Sequence, residues 1–312
     1  MGGCSCAERG GGDDTEASPS GTRRGIFAST IRRWGIVAAA AALALTATAC
    51  QRSSRAKPAA PPNVQPFNFE VVLGPNHYQI EGYVVRSTEV GRLPAVLILN
   101  GGEGDARRCV AQNADLTSIL EIQVACVSIP GYGRSSGPSR LVGPQAVEAA
   151  RRALDLLAQR SDVDPNRLAV WGVADGAVAA GLLMDSDKRP KSLILQSGAY
   201  DMLKLWPEAP LRTKLHMLHE VWPSKRVLKE RSVIENLPTR LDCNVLIMHG
   251  ERDKRTPVKQ AMKLADELRA RGAHVTTAYF PTANHDIGAQ AKQPVKQFLR
   301  ETLSEHPPAP TS

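Results

Sequence analysis

Six mostly apolar runs alternate with longer amphipathic stretches along the chain. The runs predict strands at residues 94–100, 124–129, 168–173, 192–197, 244–250 and 275–280. The stretches between them predict helices at residues 106–119, 144–160, 175–186, 257–272 and 288–303. Continuous apolar strands that alternate with helices are typical of a parallel sheet covered on both faces. We therefore predict an α/β fold with a doubly wound, mostly parallel sheet.

Two segments depart from this alternation. Short β-patterned runs flank Pro75-Asn76 within residues 67–85, which predicts an antiparallel hairpin before the first parallel strand. Residues 202–240 have no strand pattern and carry Trp206 and Trp222, so we expect a small helical insert there.

The first 49 residues have the composition of an export signal. Arginines at 23, 24, 32 and 33 precede the uncharged apolar run 34–49, which is short for a membrane span. The run ends with Ala47-Thr48-Ala49 before Cys50, a cleavage signal that also resembles a bacterial lipobox. We expect a lipoprotein that is anchored in the cell envelope through Cys50. The alternative is a secreted or periplasmic protein that is cleaved before Cys50, and the export route stays open.

The composition changes again after this segment. Residues 50–65 are polar and proline-rich, which predicts a tether, and the proline-rich residues 307–312 predict a disordered tail. Residues 66–306 between them predict a single domain that includes the insert.

The charge pattern and the cysteine count limit the partners and the disulfides that can be expected. The formal net charge is +8, but no run of lysines and arginines is interleaved with aromatic residues, so a nucleic-acid partner is not expected. If the export signal is removed with Cys4 and Cys6 and Cys50 is lipidated, an odd number of cysteines remains: Cys109, Cys126 and Cys243. We expect Cys126 to be a small buried side chain in a strand. A Cys109–Cys126 bridge is the alternative.

Ligands of doubly wound sheets bind at the carboxyl ends of the strands, and five motifs cluster around the predicted strands. They are N-G-G at 100–102, P-G-Y-G-R-S at 130–135, D-P-N-R-L-A-V-W-G at 164–172, H-G-E-R-D at 249–253 and A-N-H at 283–285. In this order they resemble the α/β-hydrolase superfamily, within it the dienelactone-hydrolase and prolyl-oligopeptidase-like (peptidase S9-like) branch. The resemblance extends over residues 67–303.

The resemblance implies an eight-stranded sheet and a triad in the chain order nucleophile, acid, histidine. Position by position, it implies Asp253 as the acid and His285 as the base. It also implies an oxyanion hole formed by backbone N–H groups of Asp175 and of the Gly102–Glu103 region. We expect no cofactor and no metal.

The implied nucleophile position holds Ala174, in G-V-A-D-G at 172–176, where the superfamily has G-x-S-x-G. An alanine methyl group cannot attack a carbonyl carbon. We therefore expect a catalytically impaired protein that binds a small molecule or peptide between the strand ends and the insert.

Three alternatives would preserve hydrolysis of ester or peptide bonds. Ser135 lies in G-R-S-S-G at 133–137, a literal motif match, but Pro138 and Gly143 follow it where a helix should begin. Asp175 could attack, although it stands one residue past the elbow position. His285 could activate water directly.

Other polar residues have simpler interpretations. Asp201 could be a second acid, but a helix N-cap is the commoner role. His216 and His219 could hold a metal, but no third ligand is nearby in the sequence, so a polar helix face is expected. His249 is expected to be structural, and Glu103 to be a solvated loop carboxylate.

Overall fold

The computed structural model of the protein describes residues 63–102 and 105–304. The predicted export signal, Cys50, most of the predicted tether, Glu103 and the predicted tail lie outside the described residues.

Ten strands and nine α-helices lie within the described residues. The strands are β1 (Val64–Pro66), β2 (Phe69–Leu73), β3 (Asn76–Ile80), β4 (Gly82–Val85), β5 (Leu93–Gly101), β6 (Gln123–Ser128), β7 (Val163–Ala174), β8 (Ser192–Gln196), β9 (Asn244–Gly250) and β10 (His274–Phe280). The helices are α1 (Ala106–Asn113), α2 (Asp115–Leu120), α3 (Pro144–Ala158), α4 (Asp175–Ser186), α5 (Met202–Glu208), α6 (Leu211–Glu220), α7 (Lys225–Glu230), α8 (Lys259–Ala270) and α9 (Lys292–Leu303). All six predicted strands are present.

Eight of the strands form one mostly parallel sheet, which confirms the predicted fold class. Its strand order is β1-β4-β6-β5-β7-β8-β9-β10. Strand β4 runs antiparallel to both of its neighbours, and the other pairs are parallel. The carboxyl ends of β5, β7, β8, β9 and β10 therefore lie along one edge, where the polar motifs of the sequence follow them.

Apolar side chains leave the sheet on both faces because successive residues of a strand point to opposite sides. On β5, Leu97 and Leu99 pack into one core with α3, α4 and α8, whereas Val96 and Ile98 pack into the other with α1, α2 and α9. The strands are thus buried from both sides, which explains their continuous apolar sequences.

The N-terminal part differs from the prediction in two ways. Strand β1 starts at Val64, within the segment predicted as a tether, and pairs with β4. The predicted hairpin forms from β2 and β3 alone, because the chain leaves it at Glu81 and continues as β4 in the main sheet. Buried Glu81 accepts hydrogen bonds from the Ser128 hydroxyl and the Arg134 amide, which holds this crossing point.

The predicted helix at 106–119 is divided into α1 and α2 at Ala114. The side chains of Asn113 and Thr117 donate to the carbonyls of Cys109 and Ala114, and such local hydrogen bonds compete with a continuous helix. Cys126 is buried in β6, as expected, but the alternative of a bridge holds as well, because a disulfide joins Cys126 to Cys109 and ties α1 to β6. Cys243 is free and buried.

The insert between β8 and β9 is helical, as predicted. It contains α5, α6, α7 and a short 3-10 turn at Ile234–Asn236. A second 3-10 turn, Gly288–Ala291, precedes α9 in place of the start of the predicted helix at 288–303. No helix among the described residues is long and apolar enough to cross a membrane.

Candidate active site

Strand β7 runs directly into helix α4 at Ala174, the implied nucleophile position. The backbone of Ala174 has φ 51° and ψ −116°, a conformation that residues with a side chain rarely adopt. A sharp, strained turn from strand to helix is the geometry of a nucleophile elbow. The elbow is therefore formed in full, although its side chain is a methyl group.

Close backbone packing around two glycines holds this turn. A Cβ atom on Gly172 would overlap the carbonyl oxygen of Gly176, and one on Gly176 would overlap that of Leu99. Helix α4 can approach β5 and β7 closely only because both positions lack side chains. The elbow's shape thus follows from helix–sheet packing and does not depend on the residue at 174.

The implied oxyanion loop lies against the elbow. Gly101 pairs with Ala174 in the β5–β7 register, and a Cβ built on Gly102 would lie 3.8 Å from that of Ala174. Asp175 is the first residue of α4, so its N–H is one of the amides without an acceptor inside the helix. Gly102 and the start of α4 are therefore close to each other at the elbow, as the implied oxyanion hole would need.

The implied acid and base are hydrogen-bonded to each other at the ends of β9 and β10. Nδ1 of His285 lies 2.7 Å from Oδ2 of Asp253. The Asp253 side chain is fully buried, whereas that of His285 is 23% exposed. Thr256 fixes the carboxylate further, because its hydroxyl donates to Oδ2 and its amide to Oδ1. This Asp253–His285 pair is called the dyad below.

Hydrogen bonding decides the charge of Asp253. Burial would raise the pKa of this carboxyl, but hydrogen bonds from His249, His285 and the Thr256 amide outweigh it and hold the pKa well below its usual range. Asp253 is thus ionised near neutral pH and can stabilise a protonated His285.

A second histidine, His249, contacts the carboxylate of Asp253. His249 is fully buried. Its Nε2–H donates to the Thr256 carbonyl, with 2.7 Å between nitrogen and oxygen, and Nε2 lies 3.2 Å from Oδ2 of Asp253. Its Nδ1 has no hydrogen-bond partner within the described residues. The predicted structural role of His249 therefore consists of holding the loop that carries Asp253.

Tyr132 and Asp175 form a polar pair beside the elbow. The Tyr132 hydroxyl donates to the Asp175 carboxylate. Desolvation raises the pKa of Asp175, against the opposing effects of this hydrogen bond and of nearby His216 and His285. Burial and the negative charge of Asp175 in turn raise the pKa of the Tyr132 hydroxyl above its ordinary value.

The insert reaches the same place through α6. Glu220, at its end, accepts a hydrogen bond from the Ser139 hydroxyl and also raises the pKa of Asp175 and Tyr132. Helix α6 therefore lies within electrostatic range of the elbow, and its charges form part of the site.

The remaining candidates have structural roles. Ser135 is buried, accepts from the Glu81 amide at 2.9 Å and donates to the Ser128 carbonyl at 2.6 Å, so its hydroxyl is fully engaged in a loop. Asp201 caps α5 through the Lys204 amide and pairs with Lys263 at 2.7 Å. Within the described residues, no group of three or more potential metal ligands was found.

Sequence reasoning missed Tyr132, Glu220 and the link of His249 to the acid. Tyr132 follows β6 at the same sheet edge as the elbow, and this position could have marked it as a candidate site residue. Glu220 gave no signal, because the path of the insert cannot be read from its sequence.

The site as a whole resembles a serine hydrolase without its nucleophile. The first amide of α4 has no acceptor within the helix, and His285 of the dyad can take up a proton. No covalent step can start at Ala174.

Comparisons with known proteins agree with this geometry. A sequence profile of the prolyl oligopeptidase family (peptidase S9) matches residues 139–303, just over half of the chain. An uncharacterised protein of Mycobacterium tuberculosis is 29% identical over 234 residues, which cover 72% of this chain and 76% of the relative.

Two further similarities are more distant. A solved puromycin-hydrolysing peptidase of M. tuberculosis superposes with a TM-score of 0.65 at 22% identity, over 78% of this chain and 40% of that one, and shows the shared fold. The inactive dipeptidyl peptidase 10 of mouse is 23% identical over 172 residues, which cover 53% of this chain and 21% of the relative.

Proposed function

Because the chain belongs to the prolyl oligopeptidase family, we propose that it is a hydrolase-fold protein that binds a carbonyl-containing small molecule or peptide without forming an acyl-enzyme. The observation that carries this proposal is the methyl group of Ala174 at a fully formed elbow. Loss of a triad nucleophile lowers the rate by several orders of magnitude, and the residual rate comes from binding and the oxyanion hole.

The rest of the site supports ligand binding. Gly102 is close to the elbow, Asp175 begins α4 there, and Glu220 of the insert is near enough to raise the pKa of Asp175. One distant relative of the chain, mouse dipeptidyl peptidase 10, is named as inactive. That name supports a non-catalytic role here.

The test restores the missing hydroxyl. We expect Ala174→Ser to hydrolyse p-nitrophenyl butyrate at least about 10³-fold faster than the wild type, since only the nucleophile is missing. Saturation-transfer NMR should detect binding of the same ester to the wild type without turnover. Ser135→Ala is the matched control and should change neither result. Absence of a gain in Ala174→Ser would mean that the dyad or the oxyanion loop is misplaced.

A second candidate is slow hydrolysis by water that His285 activates. The 2.7 Å hydrogen bond at Nδ1 of His285 favours it, because Nε2 is then the nitrogen that can accept a proton from water. In this case the wild type hydrolyses the ester above the buffer rate, and His285→Ala removes that activity. Activity that survives His285→Ala would exclude this mechanism.

We also propose that the protein is exported and lipid-anchored through Cys50. The Cys109–Cys126 disulfide supports this, since such bonds persist in oxidising compartments. In cells of an expressing bacterium, the wild type should partition into the detergent phase with the membrane fraction, and Cys50→Ala should not. Equal partitioning of the two would contradict the anchor.

A further inference from the structure

Helix α6 of the insert carries an apolar stripe that faces solvent. Leu211, Leu215 and Leu218 are 73%, 58% and 40% exposed, and Trp222 just beyond the helix is 80% exposed. Nine large apolar side chains are exposed within the described residues, and four of them lie in this segment of twelve residues. Scattered exposed leucines are ordinary, but a cluster of this kind marks an interaction surface.

The arrangement follows from helix geometry. At about 100° per residue, the three leucines fall within an arc of about 60° on one side of α6. Arg212 flanks the arc on one side and Lys214 on the other. Buried Met217 anchors the opposite side of the helix in the core.

The surroundings of the stripe are basic. Residues 202–230 contain six lysines and arginines and three glutamates, a net charge of +3. One of those glutamates, Glu220, is engaged with Ser139. A helix with leucines and a tryptophan on one side and flanking basic residues is typical of segments that lie in a membrane interface.

We propose that α6 and Trp222 form a docking surface for an anionic lipid bilayer. Two copies of this surface would bring like charges together, which disfavours self-association, whereas anionic headgroups complement them. The chain before the described residues also favours a membrane. Cys50, the predicted lipidation site, stands 14 residues before Val64, and an extended segment of that length spans at most about 50 Å.

Such a surface would act together with the anchor. A lipid anchor at Cys50, at the end of a proline-rich tether, would hold the domain near the bilayer without fixing which face of the domain meets it. Docking through α6 would fix that face, with the insert and therefore the elbow side of the sheet at the membrane.

The test reports on residues 211–222 alone and can be made with the lipid anchor in place. The full chain is reconstituted into vesicles of phosphatidylcholine alone and of phosphatidylcholine with phosphatidylglycerol in a 7:3 ratio, and amide hydrogen exchange of residues 211–222 is measured. We expect slower exchange in the phosphatidylglycerol vesicles, and loss of this protection in high salt. Leu215→Asp should reduce the docked fraction at least about tenfold. Met262→Asp, at an exposed methionine of α8, is the matched control and should have no effect.

Three outcomes would overturn the proposal. One is equal exchange of residues 211–222 in detergent and in both kinds of vesicle. Another is equal protection in both kinds of vesicle, which would remove the role of lipid charge. The third is protection that rises with protein concentration in the absence of vesicles, which would identify a second copy of the chain as the partner.

Discussion

The two halves of the candidate site are held in different ways. The dyad depends on side chains, since Asp253 is fixed by Thr256, His249 and His285. The elbow depends on backbone packing, since Gly172 and Gly176 let α4 approach the sheet. The elbow can therefore keep its shape after its nucleophile is lost, whereas one substitution in the dyad would dismantle it. An intact elbow is thus weak evidence for catalysis, and an intact dyad is stronger evidence for a working proton acceptor.

The largest effect on kcat is expected when a substitution in the dyad is added to a restored nucleophile. In the Ala174→Ser background, Asp253→Asn should lower kcat for p-nitrophenyl butyrate about 10³- to 10⁴-fold, because His285 loses the group that orients it and stabilises its charge. Steady-state kinetics of the single and double variants measure this. A drop of less than tenfold would mean that the dyad does not serve the elbow. Asp201→Asn, at the helix cap, is the control and should leave kcat unchanged.

The close packing of α4 against the sheet at the elbow can be tested by adding a methyl group to one of its glycines. Gly176→Ala should lower the free energy of unfolding by about 3 kcal/mol or more, because its methyl group overlaps the Leu99 carbonyl. Gly74→Ala is the control, with a positive φ but open space around it, and should cost only about 1–2 kcal/mol. Urea unfolding of both variants checks the difference. Equal losses would show that the overlap at Gly176 is relieved by small backbone shifts, and that the close approach of α4 to the sheet does not require a glycine there.

The dyad should respond to pH, and the sign follows from the depressed pKa of Asp253. A carboxyl whose pKa is lower in the folded state adds stability that is complete above its unfolded pKa of about 3.9 and is lost as the pH falls through the folded pKa. At pH 7 we expect Asp253→Asn to cost about 2–3 kcal/mol, through unpaired buried donors. The difference between wild type and variant should shrink below pH 4 in urea unfolding series. A constant difference down to pH 2 would contradict an ionised Asp253.

The smallest effect concerns strain at the elbow. Ala174→Gly should raise the free energy of unfolding by about 1 kcal/mol, because glycine adopts φ 51° and ψ −116° without a Cβ clash. The matched variant Ala177→Gly, inside α4, should instead lose about 1 kcal/mol. Thermal unfolding compares the two. Destabilisation by Ala174→Gly would mean that the elbow carries no strain.

The sequence predicted the sheet well because its strands are buried on both faces. Residues 94–100 and 244–250 are mostly apolar without alternation, and they form the interior strands β5 and β9. Segments whose side chains form hydrogen bonds with the nearby backbone were less predictable. Asn113 and Thr117 divided one predicted helix by hydrogen bonds to the backbone that periodicity does not register.

The site was predictable where a motif fixes both residue and position. H-G-E-R-D and A-N-H placed Asp253 and His285 on neighbouring strand ends, and the structure joins them by a hydrogen bond. Tyr132 and Glu220 were not predicted, because their proximity to Asp175 depends on how a loop and the insert fold over the sheet edge. Contacts of this kind are set by tertiary packing and leave no local pattern.

If the site lacks only its nucleophile, labelling with a fluorophosphonate should depend on the residue at position 174 alone. Intact-mass measurement with mapping of the modified residue would be made on the wild type and on Ala174→Ser. We expect no adduct on the wild type and a single adduct at position 174 of the variant. A labelled serine in the wild type, or an unlabelled variant, would contradict this expectation.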